Sequence, residues 1–196
     1  MARTARVVRE TGETRVEVAL DLDGQGRWQV ETGHGFLDHM LAQVAVHSLI
    51  DLEVRGRRDP SGWHHLVEDV GIALGRALHQ ALGERRGITR FGWALVPLDE
   101  ALAQVAVDLS GRGHAAVDLG IQGEVEGLPA DLLAHMLEAF AFEGRLTLHA
   151  RVLAGRNDHH KAEALFKALA RALRQAIAPD PRLGDHPPSS KGTLST

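Results

Sequence analysis

The stretch VALDLDGQG (18–26) returns later in the chain as VAVDLSGRG (105–113). A second pair of matching stretches, GWHHLVED (62–69) and NDHHKAEA (157–164), carries the pattern His-His-x-x-Glu twice. Between them, LDHML in the first half matches LAHML in the second, so the three matches keep one order. Collinear matches of this kind indicate an internal duplication rather than chance.

The periodicity of each half predicts the same element order, β-β-β-α-β-α. Short stretches with β-branched residues end in Gly-rich turns and predict strands. FLDHMLAQVAVHSL and HHLVEDVGIALGRALHQAL are amphipathic and predict helices on either side of a fourth strand, IDLEVRGR. The chain is therefore predicted to be α+β, with half-domains at 1–90 and 91–178 whose helices pack against each other. A Pro- and Ser-rich tail follows at 179–196.

The composition excludes several classes of protein. The chain has no cysteine, so it forms no disulfide and has no thiol nucleophile, which fits a reducing cytoplasm. Its net charge is −4, without a long basic block, which argues against a dedicated nucleic-acid binder. No apolar run reaches the roughly 18 residues that span a bilayer, and no secretory signal is recognisable. A cytoplasmic protein without membrane or nucleic-acid partners is expected.

The duplicated histidine motif indicates a pair of metal sites. In a helix, the first histidine of His-His-x-x-Glu shares a face with the glutamate, whereas the second points about 100° away. One motif can therefore serve two ions. A single histidine pair is more often structural, but its repetition, with a further histidine in each preceding helix, favours metal binding. The candidate ligands are His39, His64, His65, Glu68, His135, His159, His160 and Glu163.

Divided evenly, these ligands give each ion three imidazoles and one carboxylate. Two positions of an octahedral ion then stay open for chemistry. A set of nitrogen and oxygen donors without thiolates suits Mn(II), Fe(II), Co(II), Ni(II) or Zn(II), and the ligand types alone do not choose among them. No motif for a nicotinamide, flavin or pyridoxal cofactor is present, so no organic cofactor is expected. His47, two turns after His39, is a further candidate for the same helix face.

Several blocks of the chain resemble the imidazoleglycerol-phosphate dehydratase family, which acts in histidine biosynthesis. They include GHGFLDHMLAQVAVHSLIDLEV, HHLVEDVGIALGRAL, RFGWALVPLDEALAQVAVDLSGR and PPSSKGTL, and the resemblance covers nearly the whole chain. It implies a duplicated half-domain like the second domain of ribosomal protein S5, with helices sandwiched between two four-stranded sheets. It also implies a homo-oligomer, a 24-mer, with active sites at subunit contacts and two Mn(II) ions in each.

The resemblance assigns roles by position. One ion would take His39, His65, His159 and Glu163, and the other would take His64, Glu68, His135 and His160. Glu13 would transfer a proton, and Lys167 would line the site; from the chemistry of the reaction, Lys167 is a candidate to assist the departing hydroxyl. The substrate phosphate would be bound by Arg90, Arg112, Ser189 and Lys191, since arginine forks, an ammonium and a hydroxyl suit a phosphate dianion. The tail is expected to be mobile without ligand and to close over the phosphate.

The implied reaction removes water from D-erythro-1-(imidazol-4-yl)glycerol 3-phosphate and gives 3-(imidazol-4-yl)-2-oxopropyl phosphate. The hydrogen that is lost is not next to a carbonyl, so it is weakly acidic. An imidazolate ring, favoured by two flanking metal ions, can expel the hydroxyl as a diazafulvene, after which a base removes the acidified proton. Two alternatives stay open, a two-metal phosphohydrolase and a non-catalytic metal-binding or storage protein.

Overall fold

Two four-stranded sheets enclose the long helices of the chain, in a computed structural model that describes residues 2–58 and 62–194. The first half contains β1 (Thr4–Glu10), β2 (Thr14–Asp21), β3 (Trp28–Glu31), α1 (Gly35–Ser48), β4 (Asp51–Arg58) and α2 (His64–Leu82). The second half contains β5 (Phe91–Leu98), β6 (Ala101–Asp108), β7 (His114–Asp118), β8 (Glu124–Val125), β9 (Leu128–Pro129), α3 (Ala130–Glu143), β10 (Thr147–Ala154) and α4 (Asp158–Ala176). The predicted α+β class and element order are confirmed, with β8 and β9 added.

The two sheets share one topology. Their strand orders are β1-β2-β4-β3 and β5-β6-β10-β7. In each sheet the first three strands pair antiparallel, and the last pair, β4 with β3 or β10 with β7, is parallel. A parallel pair needs a crossover connection, which α1 and α3 supply. The duplication visible in the sequence is therefore also present in the topology.

The core lies between the sheets, where helices of the two halves meet. Alternate residues of β2 and β6, such as Val16, Val18 and Val105, are fully buried beneath the helices. Helix α1 packs against α4, and α2 packs against α3. Each helix–helix contact thus joins one half-domain to the other, which explains how residues far apart in the chain come together. No helix among the described residues is long and apolar enough to cross a membrane.

The contact between α2 and α3 depends on a glycine. A Cβ atom at Gly71 would lie 2.4 Å from the carbonyl oxygen of Met136. Only a residue without a side chain permits this approach, because the atom that it would meet belongs to the backbone of α3. Gly71 and Met136 are close in sequence to Glu68 and His135, so the contact also sets how near those two side chains lie.

Replacing Gly71 with alanine is expected to lower the free energy of unfolding by about 1–3 kcal/mol, because the added methyl group forces the two helices apart. Gly35→Ala is the matched control. It also lies in a helix, and a Cβ atom there meets no other atom within 4 Å. Chemical denaturation of the metal-free proteins measures both effects. Equal stabilities of the two variants would show that the helices do not need this close approach.

The C-terminal tail lies against the link between the two halves. Ile88 forms a bridge with Pro179, and the amide of Gly87 donates to the carbonyl of His186 at 3.0 Å. Leu194 is buried. These contacts dock the described part of the tail on the link, while its mobility without ligand stays a prediction. Its closure over a bound phosphate stays a prediction, and residues 195 and 196 lie outside the described part.

Candidate metal centres

The contact between α1 and α4 brings three predicted ligands together. The Nε2 atoms of His39 and His159 each lie 3.2 Å from Oε2 of Glu163. One donor atom from each residue lies within 4.8 Å of the other two. Neighbouring ligands of an octahedral ion with bonds of about 2.1–2.3 Å are separated by about 3.0–3.2 Å. The two distances to Glu163 therefore match the spacing of neighbouring ligands on one ion.

Glu163 is held in its ionised form. Its second oxygen, Oε1, lies 2.7 Å from Nζ of Lys167. Burial raises the pKa of the Glu163 carboxyl, but hydrogen bonds and positive charge from Lys167 and His39 outweigh burial and bring the pKa to about 2. A carboxylate that is ionised at neutral pH can bind a metal without first losing a proton. Lys167, predicted to assist the departing hydroxyl, thus orients a metal ligand in this structure.

The contact between α2 and α3 forms a second, looser cluster of the same design. Nε2 of His135 lies 3.4 Å from Oε1 of Glu68, and Nε2 of His64 lies 3.9 Å from Oε2. The rings of His64 and His135 stack with their centroids 5.4 Å apart. As in the first cluster, one half supplies the motif and the other half supplies the histidine of its first helix. The structure therefore groups six of the eight predicted ligands in the implied combinations.

The remaining two predicted ligands, His65 and His160, belong to neither cluster. Consecutive helix residues point about 100° apart, so the second histidine of each motif faces away from the first. Nδ1 of His65 lies 3.1 Å from Glu13, and Nδ1 of His160 lies 2.9 Å from Glu100. The implied four-ligand sets are therefore not completed within one chain. In both pairs a glutamate faces Nδ1, and Nε2 of His160 also lies 3.9 Å from Oδ2 of Asp99.

Glu100 is a site residue that the sequence prediction missed. The only signal for it is its position in the duplication, where it corresponds to Glu13. The backbone N–H of Asn157, followed by the imidazole of His160, lowers the pKa of Glu100 to about 2. Glu100 in turn raises the pKa of His160. The pair therefore behaves as a carboxylate that holds an imidazole by its Nδ1 proton.

Other ligand histidines also face a polar partner at Nδ1. Glu126 lies 3.5 Å from Nδ1 of His159, and Glu138 lies 3.9 Å from Nδ1 of His135. An acceptor at one ring nitrogen is the usual arrangement for a histidine that binds metal through the other. Glu126 belongs to the turn between β8 and β9. This turn lies in the extra residues of the second half, which have no matching residues in the first half.

A chain of side chains links the first cluster to His47. Gln43 lies 3.5 Å from Nδ1 of His39 through its amide nitrogen and 3.2 Å from Nε2 of His47 through its amide oxygen. The prediction that His47 follows the same face of α1 as His39 agrees with this contact. Burial, followed by the charges of Lys167 and Arg171, lowers the pKa of His47. Both effects favour the neutral imidazole of His47.

The predicted phosphate ligands occupy a different region. The Arg90 guanidinium forms a fork on Asp108, at 2.7 and 3.1 Å, and donates to the carbonyl of Pro188 at 2.8 Å. These contacts join β5, the end of β6 and the tail. The turn that contains Arg112 begins at the same end of β6. The structure thus joins Arg90 to the tail at Pro188, the residue before Ser189, and the grouping of Arg90, Arg112, Ser189 and Lys191 around a phosphate stays a prediction.

Arg90 and the candidate metal ligand Glu163 of one chain lie near opposite ends of α4. The backbone N–H of Arg90 donates to the carbonyl of Ala176, the last residue of α4, at 2.9 Å. Glu163 lies near the start of the same helix. At 1.5 Å per residue, the two positions are about 20 Å apart along the helix axis.

Comparison with known proteins agrees with this geometry. The family model described as imidazoleglycerol-phosphate dehydratase matches residues 32–173. The chain belongs to the imidazoleglycerol-phosphate dehydratase family. Imidazoleglycerol-phosphate dehydratase from Dehalococcoides mccartyi is 55% identical over 193 residues, which cover 98% of this chain and 97% of that protein. The enzyme of that name from Granulibacter bethesdensis is 50% identical over 196 residues, which cover 99% and 100%.

Solved structures of the family share the fold. The dehydratase from Pyrococcus furiosus superposes with a TM-score of 0.82 at 38% identity and covers 95% of this chain and 99% of its own. The dehydratase from Staphylococcus aureus gives a TM-score of 0.78 at 32% identity and covers 90% and 99%. The chain is accordingly a hydro-lyase of histidine biosynthesis, in the family that dehydrates imidazoleglycerol phosphate.

Proposed function

We propose that the chain performs this dehydration at a site with two Mn(II) ions, and that it does so in the cytoplasm. The observation that carries the proposal is the pair of His-His-Glu clusters, one on each contact between the half-domains. Their nitrogen and oxygen donors suit Mn(II) and exclude metals that require thiolates. The spacing at Glu163, 3.2 Å to both histidines, supports direct coordination of one ion.

When bound, the two ions would act as Lewis acids that favour the imidazolate form of the substrate ring, from which the hydroxyl leaves as the diazafulvene forms. Side chains of the protein would transfer the protons and bind the phosphate. Glu13 is half exposed beside His65 and would accept the proton from the substrate carbon. Lys167 holds Glu163 in place and has an ammonium proton to offer the departing hydroxyl. The arginines Arg90 and Arg112 would bind the phosphate.

We infer that one chain does not perform all of these tasks on one substrate molecule. From bond lengths of about 1.5 Å, the substrate is about 10 Å long. In the same chain, Glu163 and Ala176, which the Arg90 backbone contacts, are about 20 Å apart along the axis of α4. We therefore infer that a second copy brings its phosphate set to the metal clusters of the first, and that His65 and His160 complete ligand sets across such contacts. This requirement supports a homo-oligomer, for which we propose the 24-mer.

The proposal is tested with the Mn(II)-loaded protein and imidazoleglycerol phosphate. The expected product is the ketone, without release of inorganic phosphate. The Glu13→Gln variant should still bind substrate but turn it over about 10²–10⁴-fold more slowly, because an amide cannot accept the proton. Product analysis and a phosphate assay measure both outcomes. Free phosphate in place of ketone would instead indicate a phosphohydrolase, and normal turnover by Glu13→Gln would remove Glu13 from the reaction.

A further inference from the structure

The duplication places two glutamates at matching positions, Glu13 before β2 and Glu100 before β6. Each contacts the second histidine of the motif in its own half. The distances from Nδ1 to the carboxylate are similar, 3.1 Å for His65 and 2.9 Å for His160. If the two glutamates had the same role, their carboxylates would be expected to have similar hydrogen bonds and similar exposure.

Their surroundings differ. Oε1 of Glu100 accepts backbone hydrogen bonds from Asn157 at 2.8 Å and from Arg156 at 3.2 Å, while Oε2 faces His160. Both oxygens of Glu100 are therefore fixed by the turn that leads into α4. The carboxylate of Glu13 is anchored through its contact with His65, and 52% of its side chain is exposed, against 30% for Glu100.

The turn beside Glu100 is itself well ordered. The side chain of Asn157 caps α4 by accepting the backbone N–H groups of His159 and His160. Glu100 binds the backbone of this cap residue and the ring of the second histidine after it. The direction of the His160 ring is thus set by a carboxylate that cannot rotate away without breaking two backbone hydrogen bonds.

We propose that Glu100 is a positioning residue, which accepts a hydrogen bond from the Nδ1 proton of His160 and so directs Nε2 toward a metal ion. Glu13, at the matching position of the first half, instead transfers protons. The inference deepens the proposed function, since it takes His160 as a ligand of the second ion. A carboxylate at Nδ1 fixes both the tautomer and the ring direction of a histidine ligand. The two matching positions of the duplication, Glu13 and Glu100, therefore have different roles.

Glu100→Gln tests this assignment with little change in shape. The glutamine oxygen can keep the backbone hydrogen bonds, so its NH₂ group faces Nδ1 of His160. An NH₂ group donates, which moves the ring proton to Nε2 and blocks the nitrogen that would bind metal. In Glu13→Gln, the same change in charge occurs on a side chain that accepts no backbone hydrogen bond from the described residues, and this side chain can turn away from His65.

Titration of metal-free proteins with Mn(II), followed by the signal of free Mn(II) in electron paramagnetic resonance, measures the effect. Wild type is expected to bind two ions per chain. Glu100→Gln should bind one ion normally and the other about 10–100-fold more weakly. Glu13→Gln should stay within about threefold of wild type for both ions, less than the loss typical of a positioning partner.

Asn157→Ala tests whether Glu100 acts by positioning the His160 ring or only by stabilising the turn before α4. It removes the helix cap but leaves the contact between Glu100 and His160, so it should lower the unfolding temperature and keep both ions. If Asn157→Ala weakens the second ion as much as Glu100→Gln does, order in the turn explains the effect and the proposal is wrong. Unchanged binding by Glu100→Gln also overturns it. A wild-type protein that binds two ions but makes no ketone would refute the proposed function alone.

Discussion

An equal mixture of the Glu163→Ala and Arg90→Ala proteins is expected to recover about a quarter of wild-type activity, although each variant alone is inactive. Glu163→Ala removes one member of a candidate metal cluster, and Arg90→Ala removes the guanidinium that forks on Asp108 and is proposed to bind the phosphate. If every active site takes the cluster from one copy and the fork from another, random pairing leaves about one site in four with both parts intact.

The two proteins must exchange subunits before the assay. Removing the metal and then adding it back is expected to allow this exchange, because ions shared between chains link assembly to metal binding. Glu163→Ala mixed with His159→Ala is the matched control. Both changes damage the same cluster within one chain, so no pairing restores it, and this mixture should stay inactive. Equal inactivity of the first mixture, after proven exchange, would mean that one chain holds the entire site.

Loss of a motif histidine is expected to remove metal and turnover together. Wild type should saturate near two Mn(II) per chain, whereas His64→Ala and His160→Ala should each lose one ion. Turnover should fall about 10³-fold or more, since a metal supplies several kcal/mol of transition-state stabilisation and about 4 kcal/mol corresponds to that factor. Elemental analysis and the ketone assay measure the two quantities.

His149→Ala serves as the control for these variants. His149 is exposed on β10 and lies opposite Ala106 in the sheet, away from both clusters. It should keep two ions and full turnover. A saturating value of one ion per chain in wild type, unchanged in the His64 and His160 variants, is the result that the two-metal proposal cannot accommodate.

Much of the fold could be predicted because both halves carry the same periodic signals. The second helix of the first half was predicted from HHLVEDVGIALGRALHQAL and spans His64–Leu82 in the structure. Strands β8 and β9 were not predicted, since each has two residues and the surrounding glycines indicate only turns. The docked tail was also unforeseen. It is held largely by backbone hydrogen bonds, which leave no mark on side-chain periodicity.

In the candidate site too, features set by local helix geometry could be predicted, whereas features set by tertiary contacts could not. Helix geometry alone predicted that His64 would share a face with Glu68 and that His65 would not, and both statements are confirmed. The anchoring of Glu100 was beyond such reasoning, because it depends on how the β5–β6 turn meets the start of α4. The separation of Arg90 from Glu163 likewise depends on a tertiary contact, because the backbone of Arg90 meets the last residue of α4.

The crossing of helices between the halves, α1 on α4 and α2 on α3, has a consequence for the history of the protein. A half-domain alone carries a His-His-x-x-Glu motif, but the histidine that completes the cluster comes from the other half. An unfused ancestor could have held an ion only after two copies had met, and symmetry would have made its two centres identical. Joining the copies in one polypeptide removed that constraint. After fusion, each glutamate at the repeated position could mutate and specialise by itself.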